Sequence, residues 1–264
     1  MNDRRSFILS SLNRSLMLLG GGVLAASWKT LPDQTSAGDP AADLARIKAI
    51  LETKTPVKWV FVGDSITHGA KHTFGARSYP EIFGERIRWE LRRVRDVIIN
   101  TAISGNTSTD ILADYEWRIR QFAPAVVFIM VGTNDAHEKR ALSTERFQTQ
   151  LQELVRRIRS ENAVPVLQTP NTVLIEKATG RERIAEYVEA IRRAAAAEGT
   201  ILVDHWQHWT AQGKSNILEL HKWLNDELHP NGRGHDEMAK TLFRALGIYD
   251  PASFTGKDHV IDHM

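Results

Sequence analysis

Val57-Lys58-Trp59-Val60-Phe61-Val62-Gly63-Asp64-Ser65-Ile66-Thr67 is the stretch on which the reading of the whole chain turns. Its apolar part is rich in β-branched and aromatic residues and reads as a buried strand, which Gly63 ends with a turn. A small hydroxyl residue placed where a strand breaks into a helix is exposed at the sheet's edge. Beside it lie helix N-terminal amides, which can stabilise the negative charge that develops during acyl transfer. Ser65 is therefore a candidate nucleophile. The competing reading makes Ser65 an ordinary helix N-cap, with Asp64 capping or tying the same turn.

Three further segments weigh against the plainer reading. Ala102-Ile103-Ser104-Gly105-Asn106-Thr107-Ser108 follows the apolar stretch Val97-Ile98-Ile99, and Gly132-Thr133-Asn134-Asp135 follows Val126-Val127-Phe128-Ile129-Met130-Val131. Asp226-Glu227-Leu228-His229-Pro230 lies near the C-terminus. In a parallel α/β sheet, ligands bind at the carboxyl ends of the strands. One sheet would thus bring the first three segments to a common edge. Separately, Gly105-Asn106 reads as a turn, Asn134-Asp135 as a helix cap, and Asp226 with His229 as a surface ion pair.

Taken together and in this order, the four blocks resemble those of the SGNH hydrolases, a branch of the GDSL esterase and lipase superfamily. Gly63-Asp64-Ser65-Ile66 is similar to the first block, with Ile66 in place of Leu. Ile103 to Ser108 resembles the glycine block, Gly132-Thr133-Asn134-Asp135 the asparagine block, and Asp226-x-x-His229 the Asp-x-x-His block. The resemblance implies a serine ester hydrolase working through an acyl-enzyme, with catalytic Ser65, His229 and Asp226. It also implies an oxyanion hole made by the backbone amides of Ser65 and Gly105 and the side-chain amide of Asn134. The chemistry agrees. A histidine base deprotonates the serine, an aspartate fixes its tautomer, and amide donors hold the oxyanion. The spacing of Asp226 and His229 lets both share one face of a helical turn.

Rival signatures fail. Ser65 has no glycine two residues on, as an α/β-hydrolase elbow requires. Gly63 and Gly69 are followed by Ala70, not by the Lys-Ser/Thr of a phosphate-binding loop. His205 and His208, or His229 and His235, do not make a convincing ligand set, so neither metal nor cofactor is expected.

Composition bounds the rest. The chain has 264 residues, 42% hydrophobic and 25% charged, which suits one α/β domain with an N-terminal extension. Its net charge of +2 is concentrated at residues 1–27, where Arg4, Arg5 and Arg14 face only Asp3. The remainder balances, which argues against a nucleic-acid footprint. Asp3-Arg4-Arg5-Ser6-Phe7-Ile8-Leu9 resembles a twin-arginine export motif, and residues 15–28 carry no charge. This apolar stretch suits a signal peptide better than a transmembrane helix, with Ala25-Ala26-Ser27 as a cleavage site. The expected organisation is an export signal at 1–27, a linker at 28–42, the hydrolase domain at 43–249 and a tail at 250–264. The protein is expected to use the twin-arginine machinery and to be periplasmic or secreted, without a stable membrane span once mature; an uncleaved anchor is the alternative. There is no cysteine, hence no disulfide or lipoprotein anchor.

Helices are expected at 42–53, 80–94, 107–122, 143–161, 181–198 and 231–246, with further strands at 164–167 and 201–204. Strands alternating with helices imply a three-layer α/β sandwich around a mostly parallel five-stranded sheet, the flavodoxin-like SGNH fold. The expected substrates are short-chain O-acyl esters, carbohydrate O-acetyl groups among them. Lysophospholipase or thioesterase-like hydrolysis and O-acyl transfer are the alternatives. Trp206, Trp209 and Trp223 are either packed aromatics or sugar-stacking surfaces. His68, Arg77 and His137 are candidate rim residues.

Overall fold

The computed structural model describes residues 37–257. The expected export signal and most of the expected linker lie outside them. Helix α1 (Pro40–Glu52) opens this part, with Asp39 as N-cap and Pro40 in the first turn. It starts two residues before the expected position. Strand β1 (Lys58–Gly63) then enters the sheet centre, followed by the short helix α2 (Ser65–His68), α3 (Tyr79–Glu85) and the edge strand β2 (Val97–Asn100). Next come α4 (Ser108–Ala113), α5 (Tyr115–Arg118), β3 (Val126–Met130), α6 (Thr144–Ser160) and β4 (Val164–Gln168). The chain continues through α7 (Ile184–Glu198), β5 (Ile201–Val203), α8 (His205–Ser215), α9 (Ile217–Lys222) and α10 (Gly232–Leu246).

All strand pairings are parallel, in the order β2-β1-β3-β4-β5. This is the flavodoxin-like order, with its switch point beside β1. The expected three-layer α/β architecture is therefore present. Alternate residues of β1 feed opposite layers. Val60 and Val62 pack with Val127 and Ile129 against α6 and α7, whereas Trp59 and Phe61 pack with Phe128 against α3 and α10. Burial on both faces explains why these strands read as continuous apolar runs.

Three expected helices come out differently. The segment 80–94 turns from α3 into one π-helical turn, Arg86–Glu90, and stops. Beyond it Arg93 folds back, its fork gripping Asp96 at 2.7 and 2.9 Å and the Thr55 carbonyl at 2.9 Å. The segment 107–122 is broken at Asp114 into α4, α5 and a final 3-10 turn. The third, 181–198, begins only at Ile184, and Arg181 ahead of it donates to the Thr133 carbonyl and Asn134 Oδ1. The tail is also used: Thr255 N–H and hydroxyl bond Glu90 at 3.0 and 2.5 Å, seating residues 250–257 on the π-helical turn.

Candidate active site

The three strand ends and the C-terminal block meet at the carboxyl edge of the sheet. Gly63 lets β1 end hard against β3: a Cβ there would lie 2.4 Å from the Met130 carbonyl. The chain then enters α2 with Asp64, not Ser65, as the N-cap, its Oδ1 accepting from Ile66 N–H at 3.0 Å. Ser65 is left free to project as the first helical residue. Its Oγ lies 2.9 Å from His229 Nε2, and His229 Nδ1 lies 3.0 and 2.9 Å from the two Asp226 oxygens. With the proton on Nδ1 shared with Asp226, Nε2 offers a lone pair to the serine hydroxyl.

Asp226 and His229 do not lie on a helical turn, as their spacing suggested, but in a bend. The Asp226 carboxylate closes that bend itself: Oδ1 accepts from Leu228 N–H at 2.8 Å and His229 N–H at 2.7 Å. Burial works to raise the Asp226 pKa, but these backbone bonds and His229 outweigh it and hold it below the usual carboxylate value. Outside bonds pin the loop. Asn171 Nδ2 donates to the Leu228 carbonyl at 3.0 Å, and Leu174 N–H to the Glu227 carbonyl at 2.9 Å.

On the other side stand Gly105 and Asn134. Gly105 has φ +83°, and a Cβ there would meet nothing within 4 Å, so the position is open but confined to a backbone shape that favours glycine. One Asn134 Nδ2 proton goes to the Asn106 carbonyl at 3.1 Å, leaving the second for a ligand. Two arginines brace these residues. Arg181 donates to the Thr133 carbonyl at 2.9 Å and to Asn134 Oδ1 at 3.3 Å, and Arg140 donates to the Gly105 carbonyl at 3.0 Å. Below them Asp135, fully buried, ties the two loops together. It accepts from Ser108 N–H and hydroxyl at 2.8 and 2.6 Å and from Gly132 N–H at 3.0 Å. Burial raises the pKa of Asp135 and pushes that of Asp64 to about 7.

Sequence reasoning missed His72, whose ring stacks on His229 with centroids 3.6 Å apart and planes 4° from parallel. Its Nδ1 is 3.1 Å from Asp226 Oδ2. Among the described residues His72, Asp226 and His229 form the one cluster of three with metal-ligand atoms within 4.8 Å of one another. Parallel stacked rings direct their in-plane lone pairs side by side, and His229 Nδ1 is already committed to Asp226, so the trio is not arranged as a ligand set. His205 and His235 are both fully buried, and desolvation lowers each pKa to about 3. They serve a polar network under the site, in which Gln168 bridges His205 (3.0 Å) and the Tyr79 hydroxyl (3.2 Å). Trp209 is wholly buried, and Trp223 packs edge-on against it at 5.0 Å and stacks on His208, so the tryptophans are chiefly packing residues. Of the candidate rim residues, His68 lies beside Ser104 (3.2 Å), whereas Arg77 is paired with Glu85.

This edge-of-sheet arrangement in a flavodoxin-like sandwich defines a hydrolase of the SGNH type. The model of the GDSL-like lipase/acylhydrolase family matches residues 61–237, and the chain belongs to that family. It is accordingly a carboxylic ester hydrolase. Over 208 residues it is 24% identical to an acetylxylan esterase of Geobacillus stearothermophilus, covering 72% of this chain and 94% of that one. A stretch of 89 residues is 36% identical to an uncharacterised protein of Mycoplasma pneumoniae, covering 33% of this chain and only 10% of the length of that protein. Among solved structures, LAE5, an α/β hydrolase from the metagenome of Lake Arreo, Spain, superposes with a TM-score of 0.61 at 24% identity, covering 74% of this chain and 98% of its own. A catalytic mutant of the acetylxylan esterase Axe2 of Geobacillus stearothermophilus superposes with a TM-score of 0.62 at 23% identity, covering 74% and 97%. Among the described residues no helix is long and apolar enough to cross a membrane.

Proposed function

We propose that Ser65, His229 and Asp226 form the catalytic triad of an esterase that cleaves short-chain O-acyl esters, carbohydrate O-acetyl groups among them. The observation that carries this reading is the unbroken relay from Ser65 Oγ to His229 Nε2 (2.9 Å) and from His229 Nδ1 to Asp226 (2.9 Å). His229 takes the hydroxyl proton as Ser65 Oγ attacks the acyl carbon. The carbonyl π electrons move to oxygen, which the Ser65 and Gly105 N–H groups and the free Asn134 N–H stabilise. Collapse expels the alcohol, which receives the proton from His229. Water then repeats the sequence on the acyl-enzyme and restores the serine.

The carbohydrate part rests on likeness: the Geobacillus relatives are named acetylxylan and acetyl-xylooligosaccharide esterases, and solved catalytic mutants of Axe2 replace a serine, a histidine or an aspartate by alanine. A second reading, hydrolysis of esters with a longer apolar arm, is favoured by one feature. A groove of about 490 Å³, lined by Leu174, Ile175, Ile217 and Leu220, borders the segment that pins the His229 loop. The twin-arginine-like N-terminus supports export to the periplasm or beyond, as a proposal that cell fractionation of an Arg4→Lys/Arg5→Lys variant would test.

Turnover of 4-nitrophenyl acetate, acetylated xylo-oligosaccharides and lysophospholipid separates the two readings. Ser65→Ala should lose about 10⁴-fold or more in kcat on every substrate cleaved while keeping the wild-type unfolding temperature. Near-normal turnover in that variant removes Ser65 as nucleophile.

A further inference from the structure

We propose that His72 is a positioning residue of the triad and its acid-side switch: as a neutral ring it seats His229 by stacking, and as a cation it draws the Asp226 carboxylate away from His229. The inference rests on the triad reading above and extends it.

The placement of His72 is specific. Its ring lies 3.6 Å from that of His229, 4° from parallel, and covers the face of the catalytic imidazole. Its Nδ1 has two neighbours from the catalytic loop, Asn225 Nδ2 at 2.9 Å and Asp226 Oδ2 at 3.1 Å. Nδ1 accepts from the Asn225 amide when the ring proton is on Nε2 and donates to Asp226 when it is on Nδ1, so the neutral ring is tied to the catalytic loop in either tautomer. The loop carrying His72 is held in an unfavourable shape to put it there. Lys71 and Phe74 on either side have φ +68° and +52°, conformations that cost a non-glycine residue about 1 kcal/mol or more each. Thr73, fully buried in that loop, bonds back to the Gly69 carbonyl at 3.1 Å.

The charged and titratable groups facing His72 are His229 and Asp226 from the catalytic loop and Lys71 from its own. Burial first, then His229 and Lys71, lower the pKa of His72, and only Asp226 pulls the other way. The balance favours the neutral ring. Acidification leaves a proton on both ring nitrogens, so that Nδ1 can no longer accept from Asn225 and a cation stands 3.1 Å from Asp226. Two consequences follow. The carboxylate that should stabilise the His229 imidazolium is neutralised by a competitor. A positive ring also lies face to face with one that must itself become positive during turnover. Protonation of either histidine disables the site, so the acid limb of kcat/KM should report two protons rather than one.

The test is the pH dependence of 4-nitrophenyl acetate hydrolysis by wild type, His72→Phe and His72→Ala, with unfolding temperatures measured at each pH. Phenylalanine keeps a ring to stack and removes the titration; alanine removes both. Expected are a wild-type acid limb whose logarithmic slope approaches about two and a slope near one in both variants. His72→Ala should also lose about tenfold in kcat at the plateau with KM unchanged, part of which His72→Phe recovers. A wild-type slope of one, or the same limb in wild type and His72→Phe, overturns the switch. Wild-type kcat in His72→Ala overturns the positioning role. Failure of the triad reading would look different, with Ser65→Ala still cleaving ester.

Discussion

The two halves of the site are built from different parts of the molecule. The proposed oxyanion half, Ser65, Gly105 and Asn134, hangs from the ends of β1, β2 and β3, and its anchors are carboxyl groups sealed in the core: Asp64 is 1% and Asp135 0% exposed. The proposed base half, His72, Asp226 and His229, lies on loops without regular structure, with side chains 17%, 30% and 17% exposed. A donor that must stay in place while charge develops gains from rigid, dry support. A group that must take up and release a proton needs to remain titratable near neutral pH. Placing the first on strand ends and the second on a bend closed by its own aspartate gives each half the surroundings its task requires.

If this division is right, damage to the oxyanion half should appear in turnover with little change in the pH profile. Asn134→Ala is expected to cost about 10²–10³ in kcat, the usual loss for one oxyanion donor, with KM changing far less. Steady-state kinetics would show it, and an unchanged kcat would remove Asn134 from the hole. Arg181→Met should have a smaller effect of the same kind. Arg181 touches the Thr133 carbonyl and Asn134 Oδ1, so its loss frees the Asn134 amide to turn without removing it. About a tenfold fall in kcat is expected. Arg181→Lys should recover only part of it, because an ammonium keeps the charge but cannot span both acceptors. Full recovery by lysine would mean that charge alone matters at this position.

The same contrast governs how much could be read from the chain. Strands β1, β3 and β4 were legible because burial on both faces leaves an unbroken apolar run. Ser65 and Asn134 stand out because they come soon after two of these runs, whereas Gly105 follows the half-exposed edge strand β2 and stands out by its block alone. Helices α8 and α9 were not foreseen, since residues 205–222 mix tryptophans, histidines and polar residues without a helical apolar stripe. The break at Asp114 was hidden for the opposite reason, because 107–122 keeps helix-forming residues throughout. Asp226 and His229 stand out by their motif, yet the helical turn expected of their spacing is a bend, because a carboxylate that bonds its own downstream amides competes with helix. His72, Arg140 and Arg181 carry no spacing signal at all. His72 and Arg181 reach the site on loops of irregular path, and Arg140 at the end of a single 3-10 turn.

The smallest effect expected is also the one that tests the buried half without touching catalysis directly. Asp64 caps α2, and desolvation raises its pKa from 3.8 to about 7. A carboxyl whose pKa is higher folded than unfolded binds more protons in the native state between those two values. Its contribution is therefore fullest at low pH and declines as pH rises from about 4 to about 7. Asp64→Asn keeps a cap of comparable quality and removes the charge. The variant should be equal to or slightly less stable than wild type near pH 4, where the native Asp64 is protonated, and relatively more stable at pH 8. Thermal unfolding at both pH values reads the difference, expected to shift by a few degrees. A difference between wild type and variant that does not change with pH would mean that Asp64 stays ionised in the fold. Arg181, the one cation that acts on it, would then be supporting Asp64 as well as Asn134.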